Sequence, residues 1–499
     1  MTRKNGGREE FARQTAVEPR ATRVSPEALR ALPTSARPRV DARDIQVPEG
    51  YRVEPVLVGL SFPCGMGFAE DGTLYLAEGG TTWPTRPWMP SRLLSLEPAG
   101  NVTLVATEEE AGFRGVAVKE GALYATAKGG YHSRVVRYDL KTRERTVLFD
   151  KLPDGGWHEP GGPVFGPDGL MYFAQGSVAQ QGIIEPSGWT VDIARHPRAH
   201  DVPGQDVVLT GDNVWSADPV IPYSDVVETG AFKPYAVPAK AGEVVKGELW
   251  CSTGLWRAKP DGTQPELLAW GLRNPYGLAI NEEGELYVCD NDYEEKGNRA
   301  VAEDPDRVWH VKNARLPHGS VRQPEWFGYP DFAGDGLPLW HEKHQPNRGT
   351  AARALLRDPP PLSGPAAVLL EPHGCLTKMD FCRSDAFGFR GELFLCQWGT
   401  LAPLNTTRPE ALRRGFKVLR VDVKAGTATP FLHNREPGPA SAHPGSGGIE
   451  RPVDCKFHPD GRSLYVLDFG AVAVTRNTML SYAHTGVLWR VTRTGGGGA

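Results

Sequence analysis

Apolar and polar residues alternate along most of this chain in short runs, and the runs recur. A glycine turn leads into a short strand that carries an aromatic. The unit is "EDGTLYLAE" at Glu70–Glu78, "KEGALYATA" at Lys119–Ala127 and "GPDGLMYFA" at Gly166–Ala174. It returns as "EEGELYVCD" at Glu282–Asp290, "FRGELFLCQ" at Phe389–Gln397 and "PDGRSLYVLD" at Pro459–Asp468. An apolar strand precedes each copy ("CGMGFA", "YGLAIN", "PVDCKFHP"). A second strand follows each ("SRLLSLEPAG", "DRVWHVKNA", "GVLWRVTRT"), and several have a third segment beyond it. Alternation with period two, broken by turn glycines, predicts antiparallel strands. Six such four-stranded units predict an all-β, six-bladed β-propeller.

The spacing refines this. Tyr75, Tyr124 and Tyr172 fall one blade length apart, but Tyr287 and Phe394 follow at more than twice that distance. The excess points to insertions near 177–246 and 296–372, both rich in Pro, Trp and Tyr. The sixth unit stops after "GVLWRV" without an outer strand. "YRVEPVLVGL" at Tyr51–Leu60 has no other role, so it is expected to close the last blade and remove an open sheet edge. The propeller then spans 46–493. Residues 1–45 form an arm, partly helical at "SPEALRAL", and 494–499 form a glycine-rich tail.

Composition narrows the function classes. Net charge is −4, with both signs interspersed. No basic stripe suggests nucleic acid, and no apolar run reaches the roughly 20 residues of a membrane span. The start, "MTRKNGGREEFARQTAVEPR", lacks an apolar h-region. That reads as cytoplasmic for the sequence as given, or periplasmic or secreted where a leader has been removed. Seven cysteines show no CxxC pair and no zinc spacing, so buried thiols are expected.

In a propeller, the loops leading into the innermost strands converge on one face. Those loops carry Arg114, His158, Arg273, Asn274, Lys378 and Arg451, together with Phe62, His373 and Glu450. The companion loops between second and third strands include "AQGSVAQ", "CDNDYEEKGNR" and "CQWGT". A largely cationic rim with a titratable histidine suits an anionic ligand and proton transfer near neutral pH. Equally, such arginines can pair with carboxylates and stiffen the channel, and His158 can bond a loop carbonyl. In "DNDYEE", Asp290 and Asp292 suit a hard cation such as Ca²⁺; the alternative is a solvated acidic turn.

Four stretches carry a resemblance: "HEPGGPVFGPDGLMY", "AWGLRNPYGLAINEEGELYVCDN", "WFGYPDF" and "GGIERPVDCKFHPDGRSLYVLDFG". Over roughly residues 48–493, the chain resembles the glucose/sorbosone dehydrogenase family, which includes soluble aldose dehydrogenases dependent on pyrroloquinoline quinone (PQQ). The resemblance implies a six-bladed propeller with Ca²⁺ and PQQ on one face. It implies that a sugar is oxidised and an external acceptor takes the electrons. His158 falls where the family has its general base, eight residues before Gly166. Arg273 and Asn274 fall on the pair that contacts cofactor and substrate, and Arg451 on an arginine that grips the quinone carboxylates. The chain departs from the family at two places. Val453 stands where a second arginine is usual, and Gly399 where a lysine is usual. Two other readings stay open, the first because the fold alone does not decide the chemistry and the second because of these departures. One is a Ca²⁺-dependent lactonase or esterase using Glu78, Asn274, Asp290 and Asp292. The other is a ligand-binding propeller without catalysis.

Overall fold

The computed structural model describes residues 39–79, 90–109, 111–156, 158–185, 193, 196–217, 226–347, 349–476 and 479–494. Of the expected arm over 1–45, residues 1–38 lie outside the described residues, as does most of the glycine-rich tail, while the end of the arm is described and Ile45 pairs with Asn434 of Thr427–Asn434. The rest forms six small antiparallel sheets arranged as the blades of a propeller. Among the described residues the only helical segments are short 3₁₀ turns.

Blade 1 runs Pro63–Phe68, Leu74–Glu78, Ser91–Leu96 and Val102–Glu108 from the channel outward. Blade 2 begins at Gly112–Lys119 and ends at Arg145–Pro153. Blade 3 joins Pro160–Phe165 and Met171–Gln175 to Leu255–Ala258 and Glu266–Trp270. The segment 177–246 therefore leaves and returns between its second and third strands. Blade 4 joins Gly277–Ile280, Leu286–Asp290, Asp306–Val311 and Val368–Leu370. Two of its strands thus lie within 296–372, and the extra chain loops out between them. Blade 5 begins at Leu376–Phe381, and blade 6 at Pro452–Phe457.

Closure follows the sequence prediction. Tyr51–Leu60 pairs antiparallel with Gly486–Arg493 as the outer strand of blade 6. Both strands would otherwise show unpaired backbone groups. The seam is also fixed by packing. The Tyr51 hydroxyl donates to the Phe387 carbonyl at 2.6 Å, and its ring lies 5.1 to 6.1 Å from those of Phe387, Phe389 and Phe431.

The apolar faces of neighbouring blades meet in layers of buried Leu, Val, Phe and Trp. The second inserted segment joins this core. Trp326 packs 6.0 Å from Trp270 of blade 3, and Leu355 and Leu356 are buried with it. All seven cysteines are free thiols, six of them buried. Among the described residues no helix is long and apolar enough to cross a membrane.

Candidate functional site

His158 precedes the first strand of blade 3 and is 2% exposed. Its Nδ1 lies 2.7 Å from the Ser177 hydroxyl and 3.1 Å from the Ser177 carbonyl. A carbonyl can only accept. The Ser177 hydroxyl donates its own proton to the Ala179 carbonyl at 2.6 Å, so it too accepts from the ring. Nδ1 therefore carries the proton, and a neutral ring keeps its lone pair on Nε2. The ring is held neutral. Burial lowers its proton affinity well below the ordinary value, and the cations of Arg273 and Lys128 add to this. Lys128 donates to the His158 carbonyl and to Asp154, at 2.8 Å each.

The loop before blade 4 lies against this histidine. A Cβ on Gly176 would sit 2.5 Å from His158 Cβ and 3.4 Å from Asn274 Oδ1, so only glycine allows the approach. Arg273 is 2% exposed, donates through Nε to the Gln180 carbonyl at 3.0 Å, and is bonded to the Gln180 side chain. Glu294 is 3.8 Å from its guanidinium. Asn274 Oδ1 is buried and makes no hydrogen bond.

Asp290 fixes this loop. Its carboxylate accepts from the backbone N–H groups of Arg273 at 3.3 Å and Asn274 at 2.6 Å. Arg307 at 3.1 Å and the Trp309 indole at 3.4 Å donate to it as well. Asp292 faces His373, whose Nδ1 is 2.6 Å away. Glu78 accepts from the Ser61 N–H at 2.6 Å and from Arg92 at 2.7 Å. The three carboxylates considered as calcium ligands are thus held by donors. Among the described residues no three His, Cys, Asp or Glu side chains gather into a metal set. This arrangement of carboxylates does not fit Ca²⁺, and it gives the lactonase reading no support.

A cavity opens beside Asn274. Its volume is about 110 Å³, and its walls include Glu159, Tyr276, Asn291, Trp398, Val453 and Phe469. Arg451 stands behind the Trp398 wall, 3% exposed, with its guanidinium 4.0 Å from the Trp398 ring and 4.8 Å from that of Phe416. Its Nη1 reaches only backbone carbonyls, those of Trp398, Gly399 and Thr400. Its Nε makes no hydrogen bond. Among the described residues no carboxylate pairs with it. Burial lowers its pKa to about 10.

The other two rim cations are differently placed. Arg114 is ion-paired with Glu159 and donates to the carbonyls of Gly79 and Phe113. Lys378 donates to the Cys64 carbonyl at 2.8 Å, 3.4 Å above the Tyr276 ring, and burial lowers its pKa to about 8. Arg114 is thus engaged by a carboxylate, whereas Lys378 is held by a carbonyl and an aromatic ring. The departure at 399 also has a steric cause. Gly399 has φ of 100°, and a Cβ there would meet the Phe416 ring at 2.4 Å, so a lysine does not fit.

Sequence reasoning missed Ser177, Gln180 and Lys128. Ser177 and Gln180 sit in a loop already singled out, "AQGSVAQ", but nothing in one sequence marks them as partners of His158 and Arg273.

No family profile matches the chain, and no curated protein matches it. Solved structures do. The holo form of the pyranose dehydrogenase PQQ domain from Coprinopsis cinerea is 18% identical, with a TM-score of 0.52 over 92% of this chain and 98% of that one. The iodide structure of the Trichoderma reesei protein of Carbohydrate-Active Enzymes Family AA12 is 13% identical, with a TM-score of 0.54 over 91% and 99%. The calcium structure of the same protein gives 13%, 0.51, 91% and 98%. The chain shares their fold. The resemblance read from the sequence is borne out as likeness of fold.

Proposed function

We propose that the protein is a sugar oxidoreductase that works with PQQ and passes electrons to an external acceptor. One observation carries the reading. A buried, neutral His158 keeps its lone pair on Nε2, and Asn274, which approaches it across Gly176, lines an open cavity.

The cavity offers a planar ligand an apolar wall, with a buried cation behind it. Arg451 is a buried cation without a carboxylate partner, stacked on the Trp398 wall. Asn274 and Asn291 each present a buried amide oxygen without a partner, an acceptor suited to a sugar hydroxyl. Val453, Trp398, Leu401 and Phe469 supply an apolar face. Val453 makes that face where a second arginine is usual in the family the chain resembles, and Arg451 backs the wall through the Trp398 ring.

PQQ, when bound, supplies a two-electron acceptor for the hydride that leaves the hydroxyl-bearing carbon of the sugar. His158 Nε2 takes the hydroxyl proton, and the ring passes through its imidazolium form. Ser177 steadies that form through its two acceptor oxygens on Nδ1–H. Arg273 and Asn274 orient the reacting hydroxyl, because Asp290 fixes the backbone of both. The apolar wall keeps water from the site.

The test is a spectroscopic titration of the protein with PQQ, followed by dye reduction with a panel of aldoses. Saturable binding with aldose-dependent reduction is expected, and His158→Gln should bind PQQ but not turn over. No spectral change on titration, with and without added Ca²⁺, would overturn the reading.

A further inference from the structure

The two inserted segments meet behind His158, and their contact has a chemical consequence. Asp201, from the first, is 2% exposed. Its carboxylate accepts from the N–H groups of Val178 at 2.7 Å and Ala179 at 3.2 Å, and from the Ser252 hydroxyl at 2.7 Å. Tyr329, from the second, is equally buried. Its hydroxyl lies 2.8 Å from Asp201 Oδ2 and 2.9 Å from the Ala179 carbonyl, and accepts from the Gly182 N–H at 2.9 Å. The Ala179 carbonyl is the same one that takes the Ser177 hydroxyl proton. So the groups that decide where Ser177 points are fixed from both sides by inserted chain.

We infer that Asp201 and Tyr329 are positioning residues: together they lock the Ser177–Ala179 turn so that the Ser177 oxygens face His158 Nδ1 and its lone pair stays on Nε2. The inference rests on the reading of His158 as the base. If the turn is released, the Ser177 hydroxyl can rotate and donate to Nδ1. That would move the ring proton to Nε2, the wrong nitrogen for a base facing substrate. Tyr329 is well suited to the task. Its ring lies parallel to that of Tyr293 at 6.0 Å, and Tyr293 in turn sits under the Arg273 guanidinium.

The test uses the full-length protein, labelled with ¹⁵N at the histidine rings. The His158 signals are assigned by their loss in His158→Gln. Wild type should show a protonated Nδ1 and an unprotonated Nε2. Tyr329→Phe keeps the stacked ring and removes only the hydroxyl. It should turn part of the population to the other tautomer. In the PQQ-loaded protein it should lower kcat about tenfold at unchanged KM, a fraction of the roughly 10²–10⁴ that a placed base contributes. Asp201→Asn should do the same. If either variant fails to fold, Ser252→Ala removes a different donor to Asp201 and repeats the measurement. Folded variants with an unaltered His158 spectrum would overturn the inference. A spectrum that responds as expected while His158→Gln still turns over would leave the positioning intact and sink the base.

Discussion

Two loops on the same face each carry a histidine that is 2% exposed, and the two are held in opposite protonation states. His158 meets oxygens that only accept from Nδ1, with Arg273 and Lys128 nearby, and burial with those cations keeps it neutral. His373 meets Asp292 at 2.6 Å, with Glu294 and Glu295 behind it. Burial pulls its proton affinity down, but the carboxylates outweigh burial and lift its pKa to about 9. Residue type and depth are the same, so neighbouring charge decides which histidine can take a proton. A ring that is already charged cannot act as a base, and His373 is therefore a structural cation.

The comparison breaks most sharply by substitution. His158→Gln should lower kcat by about 10³-fold with PQQ affinity and thermal stability nearly unchanged. Parallel turnover in variant and wild type would contradict the assignment. His373→Gln should show the reverse pattern. It leaves Asp292 buried without its cation, which costs about 3–5 kcal/mol in a denaturant titration, while kcat per folded molecule is kept.

The two histidines also give stability limbs on opposite sides of neutrality. His373 has a folded pKa near 9, above the ordinary histidine value of about 6.5. Its contribution is fully present below about 6.5 and is lost as pH rises through 9. His158 has a lowered folded pKa. Its contribution is present above about 6.5 and is lost as pH falls below that value. Unfolding curves across pH should therefore fall at both ends, and His373→Gln should flatten the alkaline end only. The smallest effect is a shift in the activity profile. Arg273→Gln removes a cation beside His158, so the acid limb of kcat/KM should move to higher pH, by about one unit or less. Movement to lower pH would show that Arg273 does not bear on His158.

Both the blades and the rim were legible along the chain, for a physical reason. Turn glycines and period-two alternation are local, so six copies reveal six sheets whatever lies between them. The closing strand at Tyr51–Leu60 was found because one blade lacked a partner and one strand lacked a blade. The loops around His158, Arg273, Asn274 and Arg451 were found because propeller topology brings their positions to one face. The cation at Arg114 proved to be paired with Glu159, its neighbour across 45 residues of sequence, and no local pattern records such a pairing.

What the sequence by itself determined is the repeating scaffold and which polar side chains its entry loops carry to the rim. What only the tertiary structure decided is the state of those residues. The protonation of His158 and His373, the clamped carboxylates of Asp290 and Glu78, and the unpaired guanidinium of Arg451 all depend on groups distant in sequence. Strand and turn preferences act between neighbours along the chain. Charge, burial and hydrogen bonding act between neighbours in space, and those are settled only when the blades close.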